Sequence, residues 1–286
     1  MADSVTVLAY AKLNLSLDIT GVRPDGYHTI EMVMQSVNLH DTVTVTKAEE
    51  IKVTVSNMDE LSGEDNIAYK AAAAFFEATE IDGGAAIKIK KRIPVAAGLG
   101  GGSADAAAVL TALNMLFDTR LSKDELCDIG LKIGADVPFC IVGGTQLAEG
   151  IGGILTPLPD LKDCAFVLIK NGEKPSTGEM YRRFDNLESP DHPDTSKLVE
   201  SICEGDIIDA CDYMANVFEP LWDSAADVKA DLMENGAVTA VLSGSGPSIF
   251  GVFDDLDTAQ KCKSQLQDKY DEIFVCKPVN IGVEED

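Results

Sequence analysis

The chain has 286 residues, 45% of them hydrophobic and 25% charged, and its 48 acidic against 23 basic side chains leave a formal net charge of −25. These proportions are those of a soluble globular protein of one large or two ordinary domains. So large an acidic excess excludes a nucleic-acid binder, which needs a basic face. The absence of any run of about 18 apolar residues excludes a membrane-spanning helix.

Residues 1–8 lack the basic start and long apolar core of a signal peptide. Cys127, Cys140, Cys164, Cys203, Cys211, Cys262 and Cys276 are dispersed, form no CxxC, and are accompanied by three histidines. An odd, scattered set of this kind predicts a reduced, cytoplasmic protein without a disulfide frame or a zinc site.

In chain order, residues 5–9 and 13–19 alternate apolar with polar side chains and predict strands. Lys12 interrupts the apolar stretch between them. Residues 20–28 form a turn-rich loop with Pro24-Asp25-Gly26 at its tip. Further strands are predicted over 32–37, 42–46 and 51–55, and a helix over 64–76 with Asp65 or Asn66 as N-cap. Residues 86–92 read as a strand whose Lys88, Lys90, Lys91 and Arg92 are the densest basic cluster of the chain. A solvated strand edge and a phosphate-facing patch are both open readings of that cluster.

The strand runs into Pro94-Val95-Ala96-Ala97-Gly98-Leu99-Gly100-Gly101-Gly102-Ser103-Ala104. Val109, Leu110, Leu113, Leu116 and Phe117 then recur at helical spacing. Ser122 and Glu125 form a capping box for a helix reaching about Gly134. Asp136 follows, just before Pro138, in an otherwise apolar stretch. A strand over 145–149 and a turn over 150–153 come next, and near residue 160 the pattern restarts. It continues as a buried strand (164–169), helices (177–184, 196–203, 207–217 and 224–235), a strand (238–242), a turn (243–248), a strand (249–253), a helix (257–270) and a strand (272–276). The last four residues read as a frayed tail. This order predicts an α+β protein, divided into residues 1–158 and 159–286.

Strand, glycine loop and helix start together suit a bound phosphate. Glycines let the backbone approach an anion and adopt positive φ, and the unpaired N–H groups of the first helical turn face it. A glycine turn that merely packs a helix on a sheet is the alternative. The loop is neither G-x-x-x-x-G-K-[ST] nor G-x-G-x-x-G, and the H-R-D and D-F-G tripeptides of protein kinases are missing. Phosphoryl transfer also needs a cation and a group that orients the acceptor hydroxyl. Lys12 and Asp136 are the candidates, and a buried structural ion pair is the alternative.

Residues 94–104 resemble the ATP-binding signature of the GHMP kinases, and residues 242–250 (Leu-Ser-Gly-Ser-Gly-Pro-Ser-Ile-Phe) resemble that superfamily's C-terminal glycine motif. Residues 11–15, 23–28, 98–107 and 134–139 narrow the resemblance to the branch whose substrate is a cytidine-diphosphate-linked polyol of non-mevalonate isoprenoid synthesis. The resemblance implies a two-domain fold. A ribosomal protein S5 domain 2-like ATP-binding half and a ferredoxin-like α/β sandwich would flank the active-site cleft.

It further implies ATP as phosphoryl donor with Mg²⁺, and Lys12 and Asp136 as the catalytic pair. Asn66, Lys91 and residues 94–104 match its nucleotide side, with Ser103 on a phosphate oxygen or Mg²⁺, or else simply the helix N-cap. Asn14, Tyr27, His28, Thr177 and Tyr181 match the substrate side, with Tyr181 stacked on cytosine or facing the core. A monomer or homodimer acting on a small molecule is expected, with homoserine kinase-like activity or a non-catalytic nucleotide-binding protein as alternatives. Asp105, read as lying in the first helical turn, is expected to point away from ATP. Glu149 stands where many relatives carry arginine.

Overall fold

The computed structural model describes residues 3–173 and 175–286. The N-terminal half is built on two long strands, β1 (Ser4–Val22) and β2 (His28–Ala48), paired antiparallel along their whole length. Polar and bulged positions hide their continuity in the sequence. The register slips at Tyr10/Ala11, Asn14/Ser16 and Ile19/Gly21, and each slip bends the ladder without ending it. Each predicted pair of short strands is therefore one strand.

β3 (Lys52–Val55), α1 (Ile67–Thr79) and β4 (Gly84–Lys90) follow. β4 pairs with the second half of β2 and runs parallel to β3. Then come α2 (Gly101–Leu116), α3 (Lys123–Leu131), the short α4 (Val137–Val142), β5 (Thr145–Gly150) and β6 (Ile154–Pro157), a strand the sequence pattern did not reveal. β5 pairs with the first half of β2, so one strand serves both branches of the sheet. α2 is almost wholly buried against this sheet. Its run of alanines keeps the helix close to β1 and β2.

The second sheet holds β7 (Ala165–Lys170), β8 (Thr239–Leu242), β9 (Ser248–Phe253) and β10 (Glu272–Cys276), in the order β10-β7-β9-β8. Helices α5 (Thr177–Phe184), α6 (Thr195–Glu204), α7 (Ile207–Cys211) and α8 (Ala225–Glu234) lie between β7 and β8, and α9 (Leu256–Leu266) between β9 and β10. Strand–helix–strand–strand–helix–strand in this order is the ferredoxin-like arrangement.

Two expectations fail here. The helix predicted over 207–217 stops at Cys211, because the chain must straighten to lay Asn216 beside Leu17 of β1. The tail is not frayed. β11 (Val283–Glu285) pairs with β1 in the first sheet, and Glu284 accepts a 2.5 Å hydrogen bond from the Tyr10 hydroxyl.

Candidate active site

The glycine loop is shaped by backbone before any side chain is considered. Gly98 and Gly100 take φ of +78° and +69°, and Gly100 is the N-cap of α2 with no side chain capping it. The first intrahelical bond in the loop runs from the Ala104 N–H to the Gly100 carbonyl. The N–H groups of residues 101–103 therefore remain for an anion. The N-cap is Gly100 and not Ser103, which lies two residues inside the helix. Among the described residues the Ser103 hydroxyl makes no hydrogen bond, and it faces Gly134 across the cleft wall.

A second glycine loop, residues 243–248, locks the first in place. The Ser243 hydroxyl donates to the Gly98 carbonyl (3.1 Å) and accepts from the Asn14 N–H (3.3 Å), while the Ser248 N–H donates to the Ala97 carbonyl (3.3 Å). A Cβ on Gly98 would lie 2.3 Å from the Ser243 carbonyl oxygen, so only glycine fits there. The Asn216 amide holds the carbonyls of Leu242 and Gly244, and the Trp222 indole N–H donates to the Ser245 carbonyl.

Lys12 sits on β1 where its backbone N–H donates to the Leu99 carbonyl, which ties the strand to the loop. Its ammonium donates to Asn14 Oδ1 (2.5 Å) and lies 3.7 Å from Asp136 Oδ2. The Lys12 side chain is 5% exposed and that of Asp136 is 32% exposed, so the carboxylate opens to the cleft and the lysine does not. Asp136 is the N-cap position of α4 but caps nothing with its side chain, which leaves the carboxylate available. A carboxylate so placed, with an ammonium 3.7 Å behind it, can accept a proton from a hydroxyl.

One cleft of about 1270 Å³ takes in nearly every residue singled out from the sequence. Lys12, Asn14 and Asp136 lie on its wall, with Asn66, Lys91 and residues 94–103 on one side and Tyr27, His28, Thr177 and Tyr181 on another. Ala104 is the exception. It is fully buried behind the loop, because the helix has already turned its side chain into the core. Asn66 is the α1 N-cap. Its Oδ1 accepts from the Ala68 N–H and its Nδ2 donates to the Leu61 carbonyl, which fixes this wall of the cleft.

Lys91 reaches the cleft wall, but its ammonium is taken up by Asp41 (2.5 Å) and Asp105 (2.7 Å). Burial opposes its charge, and the two carboxylates more than offset this, so its pKa is raised. Asp105 thus turns to Lys91.

The other end of the cleft is aromatic. The rings of His28 and Tyr181 lie 4.8 Å apart with a 33° tilt, and Tyr181 meets Phe218 edge-on at 5.1 Å. Burial pushes the Tyr181 hydroxyl up to about 12. His28 Nε2 is 2.8 Å from Asp185 Oδ1, whereas Tyr27 is 68% exposed. Phe218, Asp185 and Ser243 were not picked out from the sequence. Ser243 at least lies inside a recognised motif, but nothing local marks the other two.

Fold and site together define a GHMP-type small-molecule kinase. Residues 66–144 match the GHMP kinases N terminal domain and residues 184–272 the GHMP kinases C terminal region. The chain is 43% identical over 278 residues to a 4-diphosphocytidyl-2-C-methyl-D-erythritol kinase of Clostridium tetani, covering 96% of this chain and 99% of that one. It is 44% identical over 282 residues to the Acetivibrio thermocellus protein of the same name, covering 97% and 100%.

A crystal structure of 4-(cytidine 5'-diphospho)-2C-methyl-D-erythritol kinase superposes with a TM-score of 0.80 at 29% identity, over 96% of this chain and 98% of that one. A homoserine kinase from Cytophaga hutchinsonii superposes equally well (TM-score 0.81, 20% identity, covering 100% and 98%), so the fold alone does not select the substrate. The chain belongs to the 4-diphosphocytidyl-2-C-methyl-D-erythritol kinase family of the GHMP kinases.

Proposed function

We propose that this chain transfers the γ-phosphoryl group of ATP to the 2-hydroxyl of 4-diphosphocytidyl-2-C-methyl-D-erythritol, giving the 2-phosphate and ADP in the methylerythritol phosphate route to isoprenoids. The observation that carries the reading is the placement of Lys12 and Asp136, 3.7 Å apart, on the wall of a cleft with an uncapped helix start and an aromatic end. The triphosphate lies on the N–H groups of residues 101–103, and the cytosine lies at the aromatic end near Tyr27, His28 and Tyr181. Thr177 and Asn14 contact the substrate between these ends.

In the reaction the 2-hydroxyl oxygen bonds to the γ-phosphorus while the bond to the β–γ bridging oxygen breaks. Asp136 takes the hydroxyl proton, and Lys12 steadies the charge on the moving phosphoryl group. Among the described residues no cluster of three or more potential metal ligands occurs. This suits Mg²⁺ carried mainly by phosphate and water. The Ser103 hydroxyl would be the protein group to hold it, and the ion would neutralise charge on the β- and γ-phosphates. The reading goes with a cytoplasmic monomer or homodimer, with residues 1–158 as the ATP-binding half and 159–286 as its partner.

A coupled ADP-release assay tests the reading by comparing the diphosphocytidyl substrate with homoserine and mevalonate. Turnover of the first alone is expected, and turnover of homoserine instead would overturn it. Asp136→Asn should lower kcat by about 10²-fold or more with the KM for ATP nearly unchanged. Tyr181→Ala should raise the KM for the cytidine substrate roughly tenfold, in keeping with the loss of one base-stacking contact, and leave that for ATP alone. Equal effects on both would place the cytosine elsewhere.

A further inference from the structure

The outer face of the first sheet sorts its charges by strand. α1 and α2 pack against the inner face, where Val7, Val43, Val45, Ile87 and Ile89 are buried. The intervening side chains point outward, and the ladders align them in rows across four strands. One row runs Glu284, Leu8, Thr42, Lys90. The next runs Asp286, Thr6, Thr44, Lys88, with the Asp286 N–H donating to the Thr6 carbonyl (3.0 Å). The four charged residues are exposed, and the four between them are half-buried.

Each row therefore carries a carboxylate on the β11 side and an ammonium on β4, three strand spacings or roughly 14 Å apart. A further cation, Lys52, is exposed beside them on β3. Among the described residues none of these five groups forms a salt bridge. The middle of the face is neutral, with the Thr6 and Thr44 hydroxyls bonded to each other at 3.1 Å. The usual reasons for surface lysines do not apply to Lys88 and Lys90. β4 lies inside the sheet, between β2 and β3, so they guard no edge. A chain with 48 acidic against 23 basic side chains gains little solubility from added cations.

We propose that this face is the docking surface for a second copy of the chain, in a two-fold dimer held by Lys88 and Lys90 of each copy on Asp286 and Glu284 of the other. A two-fold axis along the strands, midway between β1 and β2, lays the face on its own copy. It carries β4 over the second copy's β11 and β1 over its β2. Lys90 then meets Glu284, Lys88 meets Asp286, and the neutral threonines and Leu8 meet one another. Sheets stacked in this way sit about 10 Å apart, a gap that a lysine and a carboxylate side chain span together. An axis across the strands would set lysine on lysine, so charge selects the first arrangement. The rows cover on the order of 400 Å² per copy, about half of a standard interface, and the dimer is accordingly weak, with a Kd of about 10⁻⁴ M. Two copies of net charge −25 repel at long range. The contact therefore forms where about 0.1 M salt shortens that repulsion to about 10 Å.

The test is a charge swap read by sedimentation equilibrium at about 0.1 M salt. The weight-average mass of the wild type should climb from monomer toward dimer between about 10 and 500 µM. Lys88→Glu/Lys90→Glu makes both sides of the face acidic, and Glu284→Lys/Asp286→Lys makes both basic. Each variant alone should remain monomeric, and an equal mixture of the two should associate like the wild type. The basic variant carries less net charge than the wild type, so a purely general repulsion would make it associate more. A wild type monomeric throughout, a variant that still associates alone, or a mixture of folded variants that stays monomeric would overturn the proposal. Circular dichroism reports whether each variant is folded. None of the four residues lines the active-site cleft, so the test is independent of the reading of that site.

A second measurement needs no variant. Light and heavy-isotope wild-type protein, mixed at the upper end of that concentration range, is treated with a carbodiimide, which joins an ammonium to a carboxylate in contact. Mixed-isotope peptides linking Lys90 to Glu284 and Lys88 to Asp286 are expected. Their absence, or linkage between copies through other residues alone, overturns the assignment of this face even if a swapped variant fails to fold.

Discussion

Lys12 and Lys91 are both buried lysines beside neighbouring glycines of one loop, and they could scarcely be more different. Lys91 is held by two buried carboxylates at 2.5 and 2.7 Å. Lys12 has one half-open carboxylate at 3.7 Å and a neutral amide at 2.5 Å. A saturated ammonium fixes structure and has little field left for a ligand. An ammonium short of counter-charge keeps its field directed at whatever enters the cleft. Neighbouring sequence does not distinguish the two, since the difference lies in how many carboxylates the fold brings to each.

This contrast can be broken by measurement. Lys91→Met leaves Asp41 and Asp105 buried without their cation, and should lower the unfolding free energy by about 3–5 kcal/mol. Chemical denaturation followed by circular dichroism reads that loss, while kcat per folded molecule should remain within about threefold. Lys12→Met should do the reverse. Its kcat should fall by about 10²–10³-fold, with stability changed by no more than about 1 kcal/mol because its carboxylate partner is open to water. If both variants lost mainly activity, or both mainly stability, the division of labour would be wrong. The smallest effect is expected from Ser243→Ala, which removes the hydroxyl shared by Gly98 and Asn14. A loss of about 1 kcal/mol and a modest rise in the KM for ATP are expected, read by thermal unfolding and steady-state kinetics.

What could be read from the sequence was what is local. The glycine loop, the capping box at Ser122 and most helices declare themselves within a few residues, and Lys12 and Asp136 each stand out as a charge in an apolar run. What escaped was made by distant pairing. Asp41 meets Lys91 across 50 residues of chain, Ser243 meets Gly98 across 145, and β11 joins β1 from the far end of the sequence. The long strands β1 and β2 were seen only in pieces because buried charged residues, Lys12 and Asp41, stand in the gaps at 10–12 and 38–41. Their partners, and not alternation, keep them in the sheet. Ala104 was included with the loop because it continues the motif, whereas the helical turn carries it into the core.

The meeting of the two glycine loops has a mechanical consequence. At Gly98 and Ser243 the two glycine loops approach so closely that no side chain fits on Gly98, and the Ser243 hydroxyl bridges them. Such a joint acts as a pivot. The glycine-loop end of the cleft should then keep its width, and any opening should fall at the far end, where Tyr27 is exposed and α5 and Asp185 meet His28 through one ring contact and one hydrogen bond. Like tongs, the protein would grip hardest at the hinge and admit its substrate at the tips. Amide exchange should accordingly be slow at residues 12, 243 and 246 and fast at 23–28 and 177–185.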